Sequence, residues 1–445
     1  MSEIRPAAKR SSDEIDELPS KRIHQEFKEL SVSEDAKKSI ESDLKDMALI
    51  DLLKAVDANV ELKSMAESIY MEDYANKLVN LIRVDDESSS NQLVEMGDTI
   101  SIFNKLTALK FLRCFGHLIT ALNLDFYSVN PLIRAKIIRY VNKFCADTLI
   151  ELKISSVNDG PLEKFEKPFA KVTKLQFSYC RLDSYTTDFN IWFPKLRHLD
   201  MSCNNRLASR DCIEDYFRDL KYLAVKVDSE FCFNEDNVIE ALQYNENLKH
   251  FGICGQFDMK FLEKVAKHMK YAESLDIDWP KGFEKTSEKE VNFKSVKQFK
   301  TNLIHLNGKM PVTFNHLEEL TLIACCPTDE CRDFIRKHTS LIKLNIYTSS
   351  SKGFVNSLLK ILKVAHSVIE VNFFDGHFTG DEIIKLLDGC NTSQKFSFSL
   401  DDQSVHDQLM EQLGEHWKTT IDGDRVTFEQ KKNSNGKKFC DIITL

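Results

Sequence analysis

The sequence is poor in residues that break or loosen a folded chain, with only 14 glycines and 9 prolines among 445 residues. That scarcity argues against a large low-complexity share of the chain. No run of about 18 apolar residues is present, which predicts that no segment spans a membrane. The N-terminal residues are charged and lack an apolar stretch, so we expect no secretory signal peptide.

An excess of positive charge is also missing. The 60 Lys and Arg residues are outnumbered by 69 Asp and Glu residues, which gives a net charge of −9. This balance gives no support for a nucleic-acid-binding surface. With 42% hydrophobic and 29% charged residues, the composition predicts a folded, soluble protein. Because no signal peptide is expected, the predicted location is the cytoplasm. The basic pairs Lys9-Arg10 and Lys21-Arg22 have the spacing of a bipartite nuclear import signal, so a nuclear location is the alternative.

Motifs of catalysis and metal binding are missing as well. The 12 cysteines form no CxxC pair, which is typical of reduced, mostly buried thiols. Cys325, Cys326 and Cys331 lie close together, but no second Cys/His pair follows at the spacing of a zinc site. The chain has no GxSxG elbow, phosphate loop, HExxH or GxGxxG motif. We therefore expect no enzyme activity, no cofactor and no metal.

What the sequence does contain is a repeated apolar pattern. In KLRHLDMSCNN (195–205), apolar residues at 196, 199 and 201 precede Asn204, and the same spacing recurs over 172–180 and 317–325. Such alternation is typical of a short strand with one buried side. Looser copies continue the pattern at intervals of 21 to 30 residues, and the central apolar anchors are Leu122, Leu152, Leu175, Leu199, Leu223, Phe251, Leu275, Phe299, Leu320, Leu344, Val371 and Phe396.

Helical segments lie between these strands, because apolar residues recur there three and four positions apart. Asn234, Asp329 and Asp381 occupy predicted N-cap positions. One unit of strand and helix cannot cover its own apolar face, so neighbouring units must stack. The predicted helices span 132–146, 237–245, 261–271, 331–339, 357–366 and 381–390.

This pattern resembles the leucine-rich-repeat family over residues 100–428. The resemblance implies an α/β horseshoe with parallel strands on its concave face and helices on its convex face. The alternative is an ordinary α/β domain with coincidental spacing. TTIDGDRVTF (419–428) predicts two short strands that cap the last repeat, with Trp417 and Phe428 as apolar lids. Residues 429–445 are predicted to be a polar tail.

Residues 1–17 are predicted to be a disordered tail, and residues 18–84 a small all-α domain. The segment 47–81 has the apolar faces of two amphipathic helices, with a turn at Asn59. Together with LPSKRIHQEFKEL upstream, it resembles an F-box. The resemblance implies that this domain docks the Skp-type linker subunit of a cullin-RING ubiquitin ligase of the SCF type, through Leu18, Pro19, Ile23, Phe27, Leu49, Leu52 and Leu53.

Residues 31–46 separate the two F-box halves, which the family joins directly. A second alignment uses Ile40, Leu44 and Met47 as the first helix, and a third interpretation makes the region a helical cap on the first repeat. Residues 85–99 are acidic and rich in serine, which predicts a linker. Two strand-like runs within 106–126 predict a short or irregular first repeat.

Residues beside the anchors should face outward from the strands and form a binding surface. Aromatic residues among charged ones suit a protein partner. Asp276 and Asp278 flank one strand residue; such carboxylates could serve acid–base chemistry or hold a cation, although on sheet faces they more commonly meet a partner's Lys or Arg. The predicted partner-binding residues on the concave face are His198, Tyr222, His250, Asp276, Asp278, Trp279, Tyr347 and Phe374.

The two resemblances together imply a non-catalytic adaptor that recognises the substrate of a ubiquitin ligase. It would hold its target protein on the concave face and act by raising effective concentration. The alternative is a leucine-rich-repeat scaffold or inhibitor without a ubiquitin role. In either case we expect no nucleic-acid partner and no membrane partner.

Overall fold

The computed structural model divides the chain into two compact units, unit 1 within Met1–Gln176 and Asp188–Lys195, and unit 2 within Phe177–Thr187 and Leu196–Leu445. No helix among the described residues has the length and apolar character needed to cross a membrane. The residues described are 34–59, 62–85, 93–157, 165–182, 189–203, 206–207, 219–227, 234–281, 283, 290–303, 309–323, 329–347, 354–374, 378–389, 394–399, 405, 409, 413, 417–422 and 425–430.

The described part of unit 1 begins with three helices, α1 (Glu34–Lys45), α2 (Leu49–Ala58) and α3 (Lys63–Asp73). Asn59 ends α2, as the sequence predicted. Helix α1 contacts α3, and both α2 and α3 contact α4 (Lys105–Phe115). The Tyr70 ring of α3 stacks on the Phe115 ring of α4 at a centroid distance of 4.8 Å, so these helices form one apolar cluster.

The strands of unit 1 form a sheet in the order β2 (Leu93–Met96), β3 (Thr99–Asn104), β1 (Leu78–Asp85), β4 (Ala121–Asp125) and β5 (Glu151–Ser155). Among these described strands, β2 and β3 are antiparallel to each other and the other pairs are parallel. The predicted helix was wrong over residues 78–81, because alternate burial there places the segment in β1. Strand β2 likewise lies within the segment predicted to be a linker.

The first of the two strands predicted within residues 106–126 is wrong, because this segment forms helix α4. Asn104 caps this helix by accepting a hydrogen bond from the Thr107 amide at 3.1 Å. The buried side chains Ala108, Leu112 and Phe115 recur at helical spacing. Helix α5 (Pro131–Cys145) connects β4 to β5 close to the predicted bounds.

Three more elements precede the main sheet of unit 2: β6 (Lys174–Ser178), β7 (Arg181–Leu182) and α6 (Phe189–Trp192). Parallel strands then pair in chain order, and β9 (Arg206–Leu207) pairs with β7. The parallel strands are β8 (His198–Cys203), β10 (Tyr222–Val227), β11 (His250–Gly255), β12 (Ser274–Asp278), β14 (Gln298–Asn302), β16 (Glu319–Ile323), β17 (Lys343–Tyr347), β18 (Glu370–Phe374) and β19 (Lys395–Ser399).

The predicted anchors lie in register across this sheet. Leu199 pairs with Leu223, Leu223 with Phe251, and the series continues through Val371 to Phe396. All twelve anchors of the chain are at most 1% exposed. The small strands β13 (Val291–Phe293) and β15 (Val312–Phe314) pair with each other. Unit 2 is therefore a mixed α/β structure compatible with a solenoid, while horseshoe curvature stays a prediction.

Helices follow the strands of unit 2 where the sequence predicted them. Asn234 caps α7 by accepting a hydrogen bond from the Asn237 amide. Asp381 was wrong as a cap, because α11 begins one residue earlier and Thr379 forms a capping box with Glu382. The helices are α7 (Glu235–Tyr244), α8 (Met259–His268), α9 (Asp329–Lys337), α10 (Phe354–Leu362) and α11 (Gly380–Asp388).

Two antiparallel strands cover the last parallel strand of unit 2. Strand β21 (Arg425–Gln430) pairs with β19 and with β20 (Trp417–Asp422). Phe428 lies opposite the anchor Phe396, and both side chains are fully buried. Trp417 is 7% exposed. The apolar lids predicted for this end of the repeat are therefore in place.

Candidate functional site

The outward-pointing residues of the parallel strands in unit 2 form one surface, which we call the strand face. Strand side chains alternate between two sides, so the residues before and after each buried anchor share a side. The in-register pairing lines them up in rows: His198, Tyr222 and His250 stand side by side, as do Asp200 and Ala224 in the next row. Side chains in the same row are therefore neighbours on the strand face and can act together.

Three aromatic rings stack along the first row. The His198 and Tyr222 ring centroids are 3.6 Å apart, and those of Tyr222 and His250 are 4.1 Å apart, with nearly parallel planes. The Nδ1 atom of His250 lies 2.9 Å from the Ser274 hydroxyl, which fixes the last ring of the stack. This ladder is a preformed, half-buried aromatic wall.

A hollow of about 280 Å³ lies beside this wall. The floor of the hollow has almost no side-chain atoms, because Ala224 and Gly252 occupy the second row between Asp200 and Asp276. A Cβ atom at position 252 would lie 3.0 Å from the Ala224 Cβ, so the two strands approach closely there. We call this site the acidic hollow, lined by Asp200, Ser202, Cys203, Tyr222, Ala224, Gly252, Ile253, Cys254, Asp276, Ile277, Asp278, Lys300, Thr301, Asn302 and Ile323.

The carboxylates of the acidic hollow are poorly solvated. Burial raises the pKa of Asp276 to about 6, and the charge of Asp200 adds to the rise while Lys300 opposes it. The Lys300 ammonium lies 3.6 Å from an Asp276 carboxylate oxygen. Burial, with help from Asp200 and Asp276, also raises the pKa of the Tyr222 hydroxyl. The two aspartates and the tyrosine therefore share one electrostatic environment.

His250 does not neutralise Asp276 at neutral pH. Burial lowers the pKa of His250 to about 4, and the nearby His198 and Lys300 add to the fall. The 3.8 Å contact between its Nε2 atom and the Asp276 carboxylate therefore joins a neutral ring to an anion at pH 7. That nitrogen is buried and has no hydrogen-bond partner among the described residues.

Asp200, on the opposite side of the hollow, is held by its own strand. It accepts hydrogen bonds from the Ser202 amide at 3.0 Å and the Ser202 hydroxyl at 2.7 Å. The Cys254 thiol donates to the Ser202 carbonyl at 3.1 Å. Hydrogen bonds within β8 therefore hold Asp200, and a bond from β11 to β8 holds the Cys254 thiol.

A second cluster lies farther along the strand face. The Tyr347 and Phe374 rings stack at 4.5 Å, and the Arg425 guanidinium lies 4.7 Å from the Phe374 centroid. Arg425 also donates to the Asn372 side-chain oxygen at 2.7 Å, and Asn372 donates to Asn345 at 2.9 Å. Arginine and aromatic residues in one patch are typical of energetic centres in protein interfaces.

The predicted partner-binding residues fall into three groups in the structure. His198, Tyr222, His250 and Asp276 come together around the acidic hollow, and Asp278 is exposed at its edge. Tyr347 and Phe374 belong to the second cluster. Trp279 is a correction: it is 1% exposed, and its indole N–H donates to the Thr301 hydroxyl at 2.7 Å, so it is a core residue.

Three of the predicted adaptor-docking residues are buried in unit 1. The other four, Leu18, Pro19, Ile23 and Phe27, lie outside the described residues. The side chains of Leu49, Leu52 and Leu53 are at most 2% exposed, because α2 packs within unit 1. Docking a partner through these three leucines would require their exposure from the core.

Several residues of the site were missed at the level of sequence. Lys300 was overlooked because KQFKTN is the weakest copy of the repeat. The structure pairs Lys300 with Asp276, so the two residues occupy the same position on neighbouring strands. Ala224 and Gly252 carry no chemical group that would single them out. Arg425 reaches the strand face from the antiparallel strand β21, which the repeat pattern does not describe.

No protein-family model matches this sequence, and no curated protein matches it. The leucine-rich-repeat and F-box resemblances therefore stay predictions. Among the described residues, no group of three or more His, Cys, Asp or Glu side chains is arranged to hold a metal ion.

Proposed function

We propose that this protein is a non-catalytic scaffold that binds a partner protein along the strand face of unit 2. One observation carries the proposal: the strands present in-register rows of aromatic, charged and amide side chains over a continuous parallel sheet. Sites built on strands hold their side chains more accurately than sites on loops. The stacked rings and the Arg425 cluster supply the residue types that dominate binding energy at interfaces.

The packing of the N-terminal helices favours the scaffold over the ligase adaptor. The apolar side chains of α2 and α3 face α4 within unit 1, which is the arrangement expected of a cap on the first strands and helices of an array. Buried leucines at positions 49, 52 and 53 argue against docking through them. The function proposed for the protein is therefore partner binding without docking to a ubiquitin-ligase subunit through these leucines.

Site-specific crosslinking in the full chain tests this function. Tyr347 on the strand face is replaced by p-benzoylphenylalanine, and the matched control carries the same replacement at Tyr271, which is 57% exposed and lies between α8 and β12. We expect a protein that crosslinks from position 347 and not from position 271. Arg425→Ala should reduce that crosslink, since the guanidinium stacks beside the probe's neighbour Phe374.

Crosslinking from position 271 alone, or from neither position, would contradict the proposed function. Equal crosslinking from both positions would also count against it, because a specific partner covers one surface. Unfolding midpoints of the two probe-bearing chains must agree with that of the natural chain, which excludes loss of fold as the cause.

A further inference from the structure

We propose, building on the scaffold function above, that the acidic hollow binds the side chain of an arginine residue presented by the partner protein. The inference starts from size. A volume of about 280 Å³ is at the lower limit of pockets that hold whole small molecules, which span roughly 300–1,000 Å³. The hollow is therefore suited to one long side chain that enters from a partner.

Charge selects the type of side chain. Among the described residues, Asp200, Asp276 and Asp278 line the hollow together with one cation, Lys300. The Lys300 ammonium lies 3.6 Å from an Asp276 carboxylate oxygen and partly compensates the charge of that carboxylate. An entering cation is attracted by Asp200 and Asp276, whereas an entering anion is repelled by them.

The geometry favours a guanidinium over an ammonium group. Asp200 on β8 and Asp276 on β12 are separated by β10 and β11, so their backbones lie about 14 Å apart at about 4.8 Å for each strand spacing, which leaves room for a side chain between them. A guanidinium presents five N–H donors in a planar fork, so it can pair with one carboxylate through two parallel hydrogen bonds and donate its remaining N–H groups to other acceptors of the hollow. A lysine ammonium is a compact point charge without this paired geometry.

The floor and wall of the hollow suit the rest of the arginine side chain. Ala224 and Gly252 leave space for the methylene groups beside the strands, and Ile253 and Ile277 contribute apolar lining. The Tyr222 ring forms the wall, with its hydroxyl close enough to both aspartates to feel their charge. Partial burial of the carboxylates strengthens their attraction for a cation relative to the same groups in water.

Peptide arrays provide the test. Fluorescently labelled full-length protein is applied to peptides that carry a fixed central arginine, lysine, citrulline or glutamate between randomised flanks. Citrulline has the shape of arginine without its charge. We expect arginine peptides to retain at least about tenfold more protein than citrulline peptides, and lysine peptides to fall between the two.

Three variants sharpen the result. Asp276→Asn and Asp200→Asn should each reduce retention on arginine peptides about tenfold. Lys300→Met should increase it, because a competing cation is removed, and a purely structural role for these residues would not produce opposite effects. Asp236→Asn is the matched control: this side chain is 90% exposed on α7 and should leave retention unchanged.

Equal retention on arginine and citrulline peptides, or no retention on any peptide, would overturn the arginine inference. Unchanged retention by Asp276→Asn, with its fold verified by circular dichroism, would overturn it as well. These outcomes are separable from failure of the proposed function. Crosslinking at position 347 can persist without arginine selection, and arginine selection can persist without a crosslinked partner.

Discussion

Asp276 and His250 have opposing pH responses that substitution can separate. The Asp276 carboxyl has a pKa of about 6 in the folded chain against an ordinary 3.8, because it is buried. The folded state therefore holds this proton more tightly than the unfolded state. The stability that results is complete below pH 3.8 and is lost as the pH rises through about 6. At about 1.36 kcal/mol for each tenfold change in proton affinity, the difference amounts to about 3 kcal/mol.

His250 acts in the opposite direction over the same interval. Its pKa is about 4 when folded against an ordinary 6.5, so the unfolded state takes up the proton first as the pH falls. Stability from this group is complete above pH 6.5 and is lost as the pH falls through about 4, again by about 3 kcal/mol. Both side chains are less than one third exposed, at 27% for Asp276 and 17% for His250. The two effects nearly cancel in the natural chain.

Substituting one member removes its contribution, so the difference from the natural chain reports the substituted group. In Asp276→Asn, the free energy of unfolding relative to the natural chain should rise with pH between about 4 and about 6. In His250→Asn it should fall relative to the natural chain between about 4 and about 6.5. Urea unfolding followed by tryptophan fluorescence measures this, in a Trp192→Phe background that leaves only Trp279 and Trp417, both in unit 2.

The difference between each variant and the natural chain removes pH effects common to both. Asp236→Asn, at a 90% exposed carboxyl on α7, is the control for loss of a carboxylate outside the strand face. Flat difference profiles for Asp276→Asn and His250→Asn would refute the reasoning, because burial would then have no measurable effect on either proton. Slopes of the same sign in both variants would refute it equally.

Three further expectations follow from the same contacts. Leu52→Ala should lower the free energy of unfolding of unit 1 by about 2–5 kcal/mol, while Leu106→Ala, at a 64% exposed residue, should change it little; urea unfolding compares them. In a double-mutant cycle, Trp279→Phe and Thr301→Val should show a coupling of about 0.5–1.5 kcal/mol from the indole hydrogen bond, and additive effects would contradict that bond. Retention on arginine peptides should increase as the pH rises through about 6 and Asp276 ionises, and a flat profile would contradict the role of that carboxylate.

The sheet of unit 2 could be predicted because its inward positions obey one rule. Each strand must bury an apolar anchor against its neighbour, so the anchors from Leu199 to Phe396 recur at a nearly constant interval. Strand β1 escaped prediction because LVNLIRV carries apolar residues that satisfy helical as well as strand periodicity. Its assignment as a strand depends on pairing with β3 and β4, which no local pattern reveals.

The candidate site was only partly predictable. The chemical groups of His250 and Asp276 are evident in the sequence, but the acidic hollow depends on the small residues Ala224 and Gly252. Their effect arises from register, because they stand between two aspartates only when four strands are aligned. The prediction for Trp279 was wrong. Its position at a strand end suggested exposure, whereas its hydrogen bond to Thr301 holds it in the core.

The two ends of the strand face differ in how well their polar groups are satisfied, and this difference bears on where a partner gains most. At one end, Asn372 donates to Asn345 and accepts from Arg425, so a partner must compete with bonds already made. At the other end, Asp276 is buried without enough compensating charge, which its raised pKa records. Satisfying a poorly compensated buried group contributes more than replacing an existing bond. The acidic hollow should therefore determine which partner is selected, and the Tyr347 and Phe374 rings should add apolar contact area to any partner that fits it.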